Sequence, residues 1–198
     1  MNFLETLNSV LYLLLPIVVA GLLNMVFLKL PLLKAIHIPM DGGRTYRDGK
    51  AWFGKNKTWK GFVGMVVFSA LSFYFIGAWT AQSDHLLALS VIPYDQFSQL
   101  ELLLLGASCG LGYVLFELPN SFIKRRCDVP PGGNIRGIKG VLFNFFDQSD
   151  SVLGCLLFLM LFYRLDTTIW IATFITATLV HYMMNIILYA LKLKSSPW

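Results

Sequence analysis

The chain has 198 residues, of which 56% are hydrophobic and only 14% charged, with a mean hydropathy of +0.63. Soluble domains carry about 25% charged residues, so water is not this chain's main solvent and a large soluble domain is excluded. The net charge of +5 does not point to nucleic acid, because the basic residues are interleaved with apolar runs and no soluble recognition module carries them.

A bilayer core about 30 Å thick is crossed by about 20 mostly apolar residues. Uncharged apolar runs predict an all-α polytopic membrane protein, one domain over residues 1–198, with about five transmembrane helices near 10–28, 61–79, 102–116, 151–163 and 168–191. No basic residue precedes the first run and no small-residue cleavage site follows it, so it is expected to be retained. The fourth run is short, and Phe143, Phe145, Phe146 and Leu165 would lengthen it unless the bilayer is locally thin. Cys109, Cys127 and Cys155 are odd in number and lack C-x-x-C spacing, so neither a disulfide framework nor a zinc site is expected.

Between these runs lie two long polar loops, 29–60 and 117–150, carrying eight and five Lys or Arg, against none in 80–101 and one, Arg164, in the last turn. By the positive-inside rule both loops face the cytoplasm, the N-terminus lies outside and the Lys192/Lys194 tail inside, in the cell membrane. Any chemistry is therefore expected on the cytoplasmic face. Asp41-Gly42-Gly43-Arg44, Asp48-Gly49 and Pro130-Pro131-Gly132-Gly133-Asn134 read as turns within these loops.

Three clusters there have chemical potential. In the first, Asn56-Lys57-Thr58-Trp59-Lys60-Gly61, Lys57, Thr58 and helix N-terminal amides suit a phosphate, while the plainer reading is a basic juxtamembrane anchor with Trp59 in the interfacial belt. The second runs from Glu117 to Arg126: Pro119 is expected to bend or break the third helix, Glu117 needs a cation or metal, and Lys124, Arg125 and Arg126 serve either a ligand or a positive-inside stop signal. The third is Asp147-Gln148-Ser149-Asp150. Its two carboxylates at i, i+3 share a helix face and suit Mg²⁺, or else they cap and favour the start of the fourth helix. Metal, cations and acids on one membrane face are what nucleotidyl transfer needs. His181 and Asn185 at i, i+4 either line this site or bond a neighbouring helix, and Gly106 and Gly110 read as close packing within the bundle or across a homodimer.

At these clusters the chain resembles the CDP-archaeol synthase family and, more distantly, the CDP-diacylglycerol synthases. Asn56-Lys57-Thr58-Trp59-x-Gly61 is similar to the family's lysine-threonine-tryptophan motif. Ser121-Phe122-Ile123-Lys124-Arg125-Arg126 resembles its serine-x-x-lysine-arginine motif, and Asp147-Gln148-Ser149-Asp150 its aspartate-x-x-aspartate motif, in the same order. Phe116-Glu117 stands where Gly-Asp is usual. Lys60 stands where the diacylglycerol enzymes carry an acid, and their glycine-histidine-glycine run is absent, which favours the archaeal branch.

The resemblance implies CTP as donor, Mg²⁺ as cofactor, a membrane lipid phosphate (archaeol phosphate or phosphatidic acid) as acceptor, and a CDP-lipid and pyrophosphate as products. It implies that Asp147 and Asp150 hold Mg²⁺, with Glu117 a third ligand or a partner of Lys124. Lys124 and Arg125 neutralise triphosphate, and Asn56, Lys57, Thr58, Ser121 and Arg126 contribute to substrate binding. The rivals are a diverged scaffold protein, or a transferase for another nucleotide or a polyprenyl phosphate. The D-G-x-x-A-R signature of CDP-alcohol phosphotransferases is not found, and a transporter would keep its ionisable residues near the midplane rather than at span ends.

Overall fold

A computed structural model describes residues 2–133 and 137–192; Asn134 of the expected turn and Lys194 of the expected tail lie outside the described residues. The described residues form helices α1 (Phe3–Lys29), α2 (Trp59–Thr80), α3 (Asp84–Leu89), α4 (Gln99–Arg126), α5 (Gly137–Leu159) and α6 (Thr167–Ala190), with short 3₁₀ turns at Lys34–Ile36 and Tyr94–Gln96. Among them α1, α2, α4 and α6 are long and apolar enough to cross a membrane. The fifth long helix, α5, matches them in length but carries Asp147 and Asp150 with Asn144, Gln148, Ser149 and Ser151. The protein is an integral, all-helical membrane protein.

The five long helices run up and down and close a ring in the order α1, α2, α4, α5, α6. Val10, Leu13, Leu14, Phe73, Leu105, Val152, Leu156 and Ala177 meet in its core. Large side chains such as Phe75, Trp79, Ile175 and Leu179 point outward and are more than half exposed. In water that belt would be an aggregation surface; in a bilayer it is the lipid-facing side. Alternation of direction brings the 30–58 loop, the α4–α5 connection and the end of α6 to one end of the ring.

Small residues set the closest crossings. Cβ atoms at Gly106 and Gly110 would meet the Ser69 and Met65 carbonyl oxygens at 2.4 and 2.8 Å, so this stripe packs α4 on α2 inside the bundle. Gly112 and Gly154 touch backbone to backbone where α4 crosses α5, and a Cβ at Gly154 would lie 2.1 Å from the Gly112 oxygen. Lys60, fully buried at the start of α2, donates to the Leu30 carbonyl at 2.7 Å and lies 4.7 Å from the centre of the Phe27 ring, capping the end of α1.

The second polar segment differs from the expectation of a loop over 117–150. Helix α4 continues through Pro119 to Arg126, and α5 (Gly137–Leu159) takes up 137–150, so most of the expected loop is helical. Pro119 removes one backbone hydrogen bond, and packing of α4 between α2 and α5 holds the helix on both sides of it. Lys124, Arg125 and Arg126 occupy the last turn of α4, where cations suit the helix dipole. Asp147 and Asp150 lie well inside α5, not at its start, which removes the capping explanation for them.

Candidate active site

On α4, Tyr113, Glu117, Asn120 and Lys124 recur at i, i+4, i+7 and i+11, one stripe of a single helical face. That face meets Asp147 and Asp150, one turn apart on α5. Asn120 Nδ2 donates to Asp147 Oδ1 at 2.7 Å and to Asp150 Oδ2 at 2.8 Å, so one amide bridges both carboxylates. Lys124, a turn further along α4, pairs with the other Asp147 oxygen. The expected acidic pair is thus assembled and held by a residue, Asn120, that sequence reasoning passed over.

Glu117 does not join that pair. Its carboxylate takes the ammonium of Lys57, which reaches in from the 30–58 loop. Among the described residues no cluster of three or more metal-ligating side chains forms. Burial works to lower the Lys57 pKa, but Glu117, with Asp150 and Asp147 behind it, outweighs this and holds the pKa above its ordinary value. Arg125 is only 8% exposed, and its Nε and Nη1 have no hydrogen-bond partner among the described residues. A buried guanidinium with unmatched donors is costly in isolation, and an anion would satisfy it.

The loop is fixed by a small number of bonds. Asp41 accepts from Gly43 N at 3.0 Å, Phe53 N at 3.1 Å and Gly54 N at 2.9 Å. Partial burial would raise the Asp41 pKa; the Gly54, Phe53 and Gly43 donors prevail and hold it below the usual carboxylate value. Gly54, at φ +91°, passes so close to Pro131 that a Cβ would sit 2.7 Å from its ring. Here the two loops meet. Thr58 caps α2, its hydroxyl accepting from Gly61 N at 3.2 Å, and Asn56 and Lys57 precede it.

These groups surround a polar cavity of about 280 Å³ that Asn56, Lys57, Glu117, Asn120, Ser121, Lys124, Arg125, Asp147 and Asp150 all line. Thr58 and Arg126 are not among its walls. Arg126 turns to the loop instead: its guanidinium pairs with Asp48 at 2.7 Å, donates to the Ala51 carbonyl at 2.5 Å and lies 4.5 Å from the Phe122 ring centre. The three consecutive cations therefore divide, Lys124 and Arg125 to the cavity and Arg126 to the loop. His181 and Asn185 do both things expected of them. They line the cavity, and they bond α5, His181 Nδ1 with the Gln148 carbonyl at 3.1 Å and Asn185 Nδ2 donating to Gln148 Oε1 at 2.6 Å.

Comparison with known proteins gives the family and the fold. A CarS-like family model, described as CDP-archaeol synthase, matches residues 3–198. The chain is 34% identical over 168 residues to the CDP-archaeol synthase of Methanoculleus marisnigri, covering 81% of this chain and 89% of that protein. It is 37% identical over 165 residues to that of Archaeoglobus fulgidus, covering 81% and 84%, and 30% identical over 161 residues to that of Pyrococcus furiosus, covering 81% and 83%. A solved structure described as an intramembrane enzyme for archaeal membrane lipids biosynthesis shares the fold, with a TM-score of 0.57 and 21% identity over 89% of this chain and 92% of its own.

Proposed function

The chain belongs to the CDP-archaeol synthase family, and from that premise we propose that it transfers a cytidylyl group from CTP to a lipid phosphate of the archaeol phosphate type. A non-bridging oxygen of the lipid phosphomonoester attacks the α-phosphorus of CTP. A new phosphoanhydride bond forms, the α–β bond breaks, and pyrophosphate leaves with the electron pair. The nucleophile is already anionic near neutral pH, so the protein need not supply a strong base.

The observation that carries this reading is the meeting, in one cavity, of an Asn120-bridged carboxylate pair with Lys57, Lys124 and Arg125. Arg125, with its unmatched buried donors, binds the triphosphate, and Lys57 and Lys124 complete the neutralisation. Asp147 and Asp150 fit Mg²⁺: they offer hard oxygen donors from one helix face, beside space for waters and phosphate oxygens. Bound there, Mg²⁺ would offset the polyphosphate charge and stabilise the departing pyrophosphate. Asn120 keeps the two carboxylates aimed together, and Lys124 restrains Asp147. Glu117 serves as the fixed partner of Lys57. The active site faces the cytoplasm, since the long basic loop is at this end.

Purified protein given labelled CTP, Mg²⁺ and a panel of archaeol phosphate, phosphatidic acid and a polyprenyl phosphate tests the reading. CDP-archaeol as the dominant product supports it. Equal use of UTP or ATP, or a clear preference for the polyprenyl phosphate, overturns it.

A further inference from the structure

Two apolar cavities flank the polar one, on either side of α5. One, of about 170 Å³, is enclosed largely by α1, α5 and α6 and meets the polar cavity at Tyr113, His181 and Asn185. The other, of about 390 Å³, lies between α4 and α5 and meets it at Asn120 and Asp150. A lipid phosphate has to bring its headgroup to the acidic pair while its chains stay in hydrocarbon, so one of these is its path.

The two junctions differ. At the first, Tyr113 OH and His181 Nε2 are 3.3 Å apart, His181 Nδ1 is 3.1 Å from the Gln148 carbonyl, and Asn185 donates to Gln148 Oε1 at 2.6 Å. This hydrogen-bonded bar ties α4 and α6 to α5. A phosphate moving through it would have to break buried hydrogen bonds after passing an apolar lining, both costly for a dianion. At the second, a single hydrogen bond, Asn120 Nδ2 to Asp150 Oδ2 at 2.8 Å, closes the inner wall, and both partners belong to the acidic site itself, so a headgroup that displaces it is already at the reacting groups, with Lys124 one turn along α4. The outer rim suits chains entering sideways from a bilayer: Ile123, Leu142 and Phe146 are each just over half exposed. Pro119, which lines the same cavity, leaves a backbone carbonyl of α4 without its helical donor.

Resting on the lipid-phosphate reading above, we infer that the lipid substrate enters and is held through the α4–α5 cavity. Its hydrocarbon lies against Ile123, Leu142 and Phe146, and its phosphate reaches the acidic pair from the side opposite the Lys57 and Arg125 wall. Attacking phosphate and leaving pyrophosphate then lie on opposite sides of the α-phosphorus, as an in-line displacement requires. The α1–α6 cavity is not the path.

The test combines a blocking variant with a binding readout that needs no turnover. Leu142→Trp fills the α4–α5 rim, and Leu22→Trp does the same at the rim of the α1–α6 cavity; both positions are exposed, so both variants should fold. Leu142→Trp is expected to raise KM for a long-chain lipid phosphate by about fivefold or more while leaving KM for CTP within about twofold, and Leu22→Trp to change neither. A lipid phosphate with a photoreactive diazirine in its tail should label α4 and α5 of the wild-type protein at Ile123, Leu142 or Phe146. Labelling at Leu22 or Met25, or a selective lipid KM defect in Leu22→Trp, overturns the inference even if CDP-lipid forms normally. Labelling at the α4–α5 rim with no CDP-lipid formed under any condition would support the site and sink the reaction assigned to it.

Discussion

Replacing Gly154 by alanine tests whether the α4–α5 crossing positions the active site. The added methyl would lie 2.1 Å from the Gly112 oxygen and 2.8 Å from Phe116 Cβ, whereas ordinary contact begins at 3.4 Å. The helices must therefore part by about 1.3 Å, because the nearest obstructing atoms are the Gly112 backbone and a Cβ fixed to the Phe116 backbone, and neither can swing aside. Two turns along α4, Asn120 spans to Asp147 and Asp150 with bonds of 2.7 and 2.8 Å, and a parting of that size takes both beyond bonding range. Overpacking of this kind costs about 1–3 kcal/mol, and misplacing a reacting group by about 1 Å costs about 10²-fold in rate. Gly154→Ala should therefore lower Tm by several degrees and CDP-lipid formation by about 10²-fold. Gly21→Ala is the control: nothing lies within 4 Å of its new Cβ, and alanine is the better helix former. Wild-type turnover by Gly154→Ala, in protein of unchanged Tm, would refute the claim that this crossing sets the site.

Three further outcomes follow from the cavity walls. Arg125→Gln removes a buried cation with two unmatched donors, so the unliganded variant should melt no lower than wild type while KM for CTP rises by about tenfold or more; a lower Tm with unaltered KM would make Arg125 structural. Glu117→Gln takes away the group that holds the Lys57 pKa above its ordinary value, so the alkaline limb of the pH–rate profile should move to lower pH, and an unmoved limb would separate Lys57 from the reaction. In Asp41→Ala the Phe53–Gly54 strip loses its anchor, so KM for CTP should rise by about threefold to tenfold and the loop should become cleavable in limited proteolysis. Because the Asp41 pKa is depressed in the folded protein, its hold on the loop is present above the ordinary carboxylate pKa and should fail only as pH falls through the lower, folded value.

The spans were legible because lipid-facing helices are apolar on nearly all sides, and the positions of α1, α2 and α6 follow from that alone. The inner ends of α4 and α5 were not, because their helical turns carry Glu117, Asn120, Lys124, Asp147 and Asp150, polar residues that face a cavity inside the protein and read as loop. Pro119 reinforced that reading, since its effect on a helix depends on neighbours that only the fold supplies. The carboxylate pair was visible from its i, i+3 spacing and the cations from their clustering. Asn120 had a signal that went unused, its place in the stripe with Tyr113, Glu117 and Lys124. Gln148, which receives both His181 and Asn185, had none beyond lying between the two aspartates. Nothing local distinguishes Arg126 from Arg125 either; Asp48 and Ala51, which claim Arg126, are more than seventy residues away.

The central claim is that the Asp147/Asp150 pair, bridged by Asn120, carries cytidylyl transfer to a lipid phosphate. Its most direct measurement is Mg²⁺-dependent formation of labelled CDP-lipid from CTP and archaeol phosphate by wild-type protein beside Asp147→Asn/Asp150→Asn of equal thermal stability. We predict product and pyrophosphate in equal amounts from the wild type and neither from the variant; equal product from both would contradict the assignment.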